Sequence, residues 1–148
     1  IKEATGETPV VLLIADAGYD GYASLIGTSD KLIAERPDLV QRFVNASTEG
    51  WYSYLYGDPS PANAAIKKAN PEMTDALIAY GRASMKEHGV VDSGDALKDG
   101  IGAMTDARWK AFYDQMAAVG LYPKSMDFKK AYTLQFVDKR VGMDAKRQ

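Results

Sequence analysis

The residues best suited to chemistry are two aspartates and two tyrosines that follow an apolar run at residues 10–14: Asp16, Tyr19, Asp20 and Tyr22. Side chains placed just beyond a buried strand line the ligand-binding edge of an open α/β sheet. Tyrosine offers a flat stacking surface with a hydroxyl group, and aspartate offers a hydrogen-bond acceptor. We therefore predict that these four residues bind a small molecule; an ordinary Asp/Gly turn with packed tyrosines stays open as the alternative.

The sequence lacks the residue pairs on which nucleophilic and zinc-dependent catalysis rely. It has no cysteine, and His88 is its one histidine. Nucleophilic catalysis needs a base beside a nucleophile, and a helical zinc site needs two histidines on one face. Since His88 precedes Gly89 at a predicted helix end, it is better explained as a favourable charge near the negative end of the helix dipole. We predict no catalytic residue, no metal and no cofactor.

Two further patterns resemble ligand sites but lack the required spacing. Asp92, Asp95 and Asp99 do not follow the EF-hand offsets and have no terminal glutamate, so turn formation and N-capping explain them better. Gly100 and Gly102 lack the third glycine of a dinucleotide fingerprint, and close backbone packing is the better explanation. Neither pattern predicts a metal or nucleotide site.

Strands are predicted near the start of the chain and helices in the rest. The continuous apolar run at residues 10–14 favours a strand buried on both faces, and residues 23–27 favour a second short strand. Beyond them, apolar residues recur at spacings of three and four, with Ser29 as an N-cap and Pro37 opening a helix. The predicted helices run over residues 30–36, from residue 37 to the turn at residue 57, and over residues 63–69, 72–87 and 106–119. The fold class is therefore α/β and helix-rich.

An aromatic cluster lies on the second predicted helix. At helical spacing part of it must lie in the core, and Trp51 is the residue that we expect to be buried. Tyr52 and Tyr56 lie four residues apart on another face, where they either stack on a ligand or pack against a neighbouring segment.

The composition is that of one globular domain of ordinary polarity. The 148 residues are 46% hydrophobic and 26% charged, with a net charge of −2, so neither a disordered chain nor a nucleic-acid-binding surface is expected. The longest apolar run, Val10–Ala15, is far shorter than the ~20 residues that span a bilayer. The densest basic cluster comprises Lys139, Arg140, Lys146 and Arg147, and we expect it to be a solvated tail.

Three stretches of the chain carry the pattern of a known family. They are Ile1–Gly6 followed by Pro9–Tyr22; Asp30–Val40 followed by Phe43 and Gly50-Trp51; and Asp92–Gly102 followed by Met104-Thr105, Arg108-Trp109 and Gly120. Together they resemble the NMT1/THI5-like group of ABC-transporter solute-binding proteins, and the second stretch is the most specific. The resemblance runs over residues 1–137 and matches only the later half of family members.

The resemblance implies a partial type II periplasmic-binding-protein fold. Residues 1–22 would form the end of the second lobe and the hinge crossover, and residues 23–148 the C-terminal helical part of the first lobe. It also implies a solute-binding component of an ABC importer, which captures a small molecule between two lobes and delivers it to a permease. An aromatic cleft that carries aspartates favours a heteroaromatic, neutral or cationic solute.

The same resemblance implies the partners and the compartment. The partners would be the solute, the membrane permease and the missing N-terminal half of the same protein, without nucleic acid. The compartment would be the periplasm, or the outside of a Gram-positive cell with a lipid anchor.

Two alternatives stay open. One is a ligand-sensing or interaction module on the same fold. The other is an enzyme like the thiamine-pyrimidine synthases of the same superfamily, which rely on a cysteine-rich motif and a histidine. Because this chain has no cysteine and its His88 lies outside any such motif, we predict that it is not an enzyme.

Overall fold

The computed structural model describes residues 5–147, which divide into two compact units. The smaller unit comprises residues 5–25 together with Asp106–Ala131. The larger unit comprises Ile26–Thr105 together with residues 132–147.

The apolar run near the start of the chain is not a strand, and residues 5–147 contain no strand at all. The side chains of residues 10–14 are 58% to 88% exposed, and a short 3₁₀ turn follows at Ile14–Ala17. The two predicted strands, at residues 10–14 and 23–27, are therefore wrong for this structure. A strand is stabilised by ladder hydrogen bonds to a neighbouring strand, and the described residues provide no such neighbour. The helix-rich half of the predicted fold class is confirmed.

The larger unit begins with two helices whose starts follow the sequence signals. Helix α1 covers Asp30–Glu35, and the Ser29 hydroxyl accepts a hydrogen bond from the Leu32 backbone N–H at 3.2 Å. Helix α2 covers Pro37–Tyr56 and has proline in its first turn, where a missing N–H costs no intrahelical hydrogen bond. Both predicted starts are confirmed.

Four further helices follow along the chain. Helix α3 covers Ser60–Ala69, α4 covers Asp75–Glu87, α5 covers Ala96–Asp99 and α6, in the smaller unit, covers Asp106–Ala118. The Thr74 hydroxyl caps α4 by accepting from the Leu77 backbone N–H at 3.1 Å. Gly89, just beyond the C-cap of α4, has φ 58°, which supports the predicted C-terminal glycine.

The centre of the larger unit is formed by Tyr52, Leu55 and Ile101. Tyr52 is only 1% exposed, and its hydroxyl oxygen accepts a hydrogen bond from the backbone N–H of Ile101 at 3.1 Å. Trp51, which we expected in the core, is instead 40% exposed. It lines a groove of about 390 Å³ together with residues of α2 and α3. The neighbouring position on α2 faces inward, so Tyr52 packs where Trp51 was predicted.

The basic residues at the end of the chain do not form a free tail, contrary to expectation. Residues Met143–Arg147 form a 3₁₀ turn that packs against α2, and Met143 and Ala145 contact the core. The Lys146 Nζ lies 2.8 Å from Oδ2 of Asp92. Apolar contacts and a buried carboxylate therefore anchor the segment. The basic residues of the segment alone did not indicate this anchoring.

Asp92 is shared between this segment and α2. Its side chain is 5% exposed, and Oδ2 also accepts a hydrogen bond of 2.5 Å from the Tyr56 hydroxyl. Burial, together with the hydrogen bond to Asp92, raises the pKa of Tyr56 to about 12 from the ordinary value of 10.0. Ionising Tyr56 would place its negative charge beside a buried carboxylate.

We expect this raised pKa to make the larger unit sensitive to alkali. Folding favours the neutral form of the Tyr56 hydroxyl. The resulting contribution to the free energy of unfolding is fully present below pH 10 and is lost as the pH rises to about 12. The free energy of unfolding, measured by urea denaturation across that range, should fall more steeply for the natural protein than for Tyr56→Phe. Equal slopes in the two proteins would show that Tyr56 ionises normally.

Candidate functional site

The candidate site lies in the smaller unit, where the loop predicted to bind ligand packs on helix α6. The 3₁₀ turn at Ile14–Ala17 ends at Gly18, which has φ 94°, a left-handed conformation that favours glycine. The chain then passes close to α6 at Gly21: a Cβ atom there would lie 3.1 Å from the ring of Phe112. The loop backbone therefore approaches an aromatic side chain more closely than most other residues would allow.

Both loop tyrosines contact aromatic side chains of α6. Tyr19 meets Phe112 edge-on, with ring centroids 5.3 Å apart and planes at 89°. Tyr22 lies 5.7 Å from Trp109, with planes tilted by 49°. Such arrangements place the positive edge of one ring near the negative face of the other. Each pair contributes about 0.5–1.5 kcal/mol of stability beyond the contribution of its buried surface area. Tyr19 remains 47% exposed, so part of its ring is available to a ligand.

Arg108 connects the loop to the helix through several contacts. Its Nη2 lies 2.7 Å from Oδ1 of Asp20, and its Nε donates to the backbone carbonyl of Asp20 at 3.2 Å. Nη2 also donates to the carbonyl of Gly21 at 3.4 Å. The guanidinium carbon lies 4.4 Å from the centroid of the Tyr22 ring, a cation–π distance. One side chain therefore holds three consecutive loop residues.

The structure brings together three of the four residues predicted from the sequence. Tyr19, Asp20 and Tyr22 all pack on α6, whereas Asp16 belongs to the 3₁₀ turn and is exposed. The Asp20 carboxylate is paired with Arg108, so the local charge is close to balanced rather than acidic.

Further aromatic side chains extend this cluster along α6. Tyr122 lies 6.5 Å from Phe112, and Tyr113 stacks on Phe128 at 5.0 Å with nearly parallel planes. The Tyr113 hydroxyl donates to the carbonyl of Pro123 at 3.0 Å, which closes the segment after α6 onto the helix. Aromatic contacts therefore link α6 to the segment that follows it.

Sequence reasoning did not select Arg108 as a site residue. The sequence predicts a helix over residues 106–119, and Arg108 enters there only as part of a family pattern. A cation that immediately precedes an aromatic face is a usable signal, because Arg often stacks on aromatic rings. Its partner Asp20 lies 88 positions earlier, and no local spacing predicts such a pair.

The described part of the chain offers no cluster of side chains suited to a metal ion. Residues 5–147 contain no group of three or more His, Cys, Asp or Glu side chains able to hold a metal ion. His88 is exposed at the C-terminal end of α4, as expected. No helix within that range is long and apolar enough to cross a membrane.

Comparison with known proteins places the loop and the first helices in a family. Residues 2–62 match the family model described as NMT1/THI5 like, and these residues include Tyr19, Asp20 and Tyr22. A curated relative, the riboflavin-binding protein RibY of Chloroflexus aurantiacus, is 30% identical over 128 residues. The two similarities together support an NMT1/THI5-like protein. The family and the relative's name point to a solute-binding protein rather than an enzyme.

The extent of these matches is uneven. The alignment with the riboflavin-binding protein covers 86% of this chain but 36% of the relative, so the chain spans about a third of that protein's length. No solved structure matches the chain. Proteins of the NMT1/THI5-like family are typically extracytoplasmic binding proteins.

Proposed function

We propose that this chain is part of the solute-binding component of an ABC importer, and that Tyr19, Asp20 and Tyr22 line part of the solute site. The observation that carries the proposal is the packing of this loop on α6, where Arg108 holds three successive loop residues. A loop fixed in this way presents its ring surfaces without a large ordering cost on binding. Asp16, at the start of the same segment, is retained as a more peripheral candidate.

The chemistry of the loop favours a small, flat heteroaromatic solute. Tyrosine rings provide stacking surfaces, and their hydroxyls provide polar contacts at the edge. Because Arg108 balances Asp20, the site offers little net charge, which favours a neutral solute over a sulfonate or a nitrate. The similarity to a protein named for riboflavin binding supports a heteroaromatic ring system as the first candidate.

The mechanism that we propose needs a second lobe. The solute would bridge residues of this chain and the N-terminal half of the same protein, and so stabilise a closed form. That form would dock on a membrane permease from the periplasm, or from the cell surface in a Gram-positive host. Residues 1–22 would then contribute the end of the second lobe and the crossover, and residues 23–148 the helical end of the first. No catalytic step is part of this proposal.

The test is a fluorescence titration of the full-length protein with riboflavin. Stacking on tyrosine should quench the flavin emission saturably. Tyr19→Leu should weaken the affinity about tenfold, because the half-exposed Tyr19 ring supplies the available stacking surface of the loop. Tyr80→Leu is the matched control, since Tyr80 is 70% exposed on α4 and should leave the affinity unchanged. Equal losses in both variants, or none in either, would remove the loop from the site.

A further inference from the structure

A cleft with two basic side chains lies in the larger unit and involves none of the residues assigned to the solute site. Its volume is about 440 Å³, within the range of small-molecule sites. Helices α3 and α4 form its walls, and Pro59, Ile78, Ala79 and Ala83 supply apolar lining. None of the described residues that line it is acidic, whereas Arg82 and Lys86 are both basic. The cleft therefore carries positive charge above a partly apolar floor.

The two cations of the cleft differ in how firmly they are held. The Arg82 Nε donates to the carbonyl of Tyr54 at 2.6 Å, and its Nη2 donates to that of Leu55 at 2.8 Å, which fixes the guanidinium at the C-terminal end of α2. The Lys86 Nζ lies 5.0 Å from the centroid of the Tyr56 ring. Within residues 5–147 it has no carboxylate at ion-pair distance. Lys86 is therefore free to pair with an anion, beside a rigid wall formed by Arg82.

A third lining residue supplies an unmet hydrogen-bond acceptor. The Oδ1 atom of Asn63 is buried and has no hydrogen-bond partner within the described chain. Burying such an acceptor without a donor is unfavourable, because the water hydrogen bonds that it loses are not replaced. Asn63 also lines the cleft, and its χ2 is a broad torsion, so its side-chain amide can reorient at little torsional cost. A ligand with an N–H or O–H donor would therefore find a partner beside the two cations.

We propose that this cleft binds a small organic carboxylate that carries a hydrogen-bond donor next to the carboxyl group. The carboxylate pairs with Lys86, and the donor binds Oδ1 of Asn63. The apolar floor accepts the carbon skeleton. This site shares no residue with the proposed solute site, because its lining residues all belong to the larger unit.

Glycolate and acetate are the probes that test the proposal, since they differ by one hydroxyl donor. In the full-length protein labelled at isoleucine and alanine methyl groups, glycolate should shift the Ile78, Ala79 and Ala83 resonances saturably. Glycolate should bind about fivefold more tightly than acetate, the difference expected for one neutral hydrogen bond. Lys86→Gln should weaken glycolate binding about tenfold because a charge-assisted contact is lost.

The controls separate this site from general screening of surface charge. Lys68→Gln removes an exposed lysine of α3 that does not line the cleft, and should leave the glycolate affinity unchanged. Asn63→Ala should abolish the preference for glycolate over acetate while both still bind. Methyl shifts that do not saturate, or that persist equally in Lys86→Gln, would overturn the proposal. Equal binding of glycolate and acetate by the natural protein would overturn the role of Asn63.

Discussion

Arg108→Ala should weaken riboflavin binding by the full-length protein about thirtyfold. Arg108 makes the salt bridge to Asp20, donates to two loop carbonyls and covers the ring of Tyr22. Without these contacts the loop must be ordered when the solute binds, and the cation–π contact is lost as well. The ordering of the loop and the loss of the cation–π contact together reduce the binding free energy by about 2 kcal/mol. The measurement is the same flavin fluorescence titration, made at two salt concentrations.

The matched control for this variant is Lys110→Ala on the same helix. Lys110 pairs with Asp114 at 2.6 Å on an exposed surface, so its removal deletes a similar charge without contacting the loop. It should change the affinity by no more than about twofold, as expected for an exposed ion pair. If Arg108→Ala bound riboflavin as tightly as Lys110→Ala, the loop would not need this anchor, and its role in the site would be contradicted.

Tyr52→Ala should destabilise the larger unit by about 3–5 kcal/mol. The Tyr52 side chain is almost fully buried against Leu55 and Ile101, so its loss leaves a cavity in the core. It also removes the acceptor of the Ile101 backbone N–H. The measurement is the midpoint and slope of urea denaturation followed by circular dichroism.

Tyr52→Phe separates the ring from the hydroxyl. This variant should lower the free energy of unfolding by about 1–3 kcal/mol, because the buried N–H of Ile101 loses its acceptor while the packing of the ring is kept. Tyr80→Ala, at a position that is 70% exposed, should change stability by no more than about 0.5 kcal/mol. A Tyr52→Ala variant no less stable than Tyr80→Ala would mean that Tyr52 is not the centre of the core.

The helices could be predicted from the sequence because the information that determines them is local. Ser29 and Pro37 mark helix starts within a few residues, and the structure places both as predicted. The apolar run at residues 10–14 shows where local information ends. Such a run favours a buried strand only if a second strand pairs with it, and in residues 5–147 there is none.

Burial of the aromatic residues was predicted less well, for a geometric reason. Adjacent positions on a helix differ by 100° in direction, so the choice between Trp51 and Tyr52 depends on where the neighbouring segments pack. The segment that closes over Tyr52 includes Gly142, at the other end of the chain, where a Cβ atom would lie 3.0 Å from Cδ2 of Tyr52. Periodicity alone contains no information about that contact.

The candidate site was predicted in part for the same reason. Tyr19, Asp20 and Tyr22 were found from residue type and from their position after an apolar run. Arg108 was not, because its pairing with Asp20 arises only when the loop folds onto α6. The docking of Lys146 on Asp92 is a second long-range pair of this kind, and it explains why the predicted solvated tail is instead anchored.

The central claim is that the loop from Tyr19 to Tyr22 contributes to the solute site, and amide hydrogen exchange tests it most directly. The full-length protein would be compared with and without riboflavin at saturating concentration. We predict slower exchange in the peptides that contain residues 18–22 and the first turns of α6, with little change in α4. Saturated binding that left exchange of residues 18–22 unchanged while slowing it elsewhere would contradict the account.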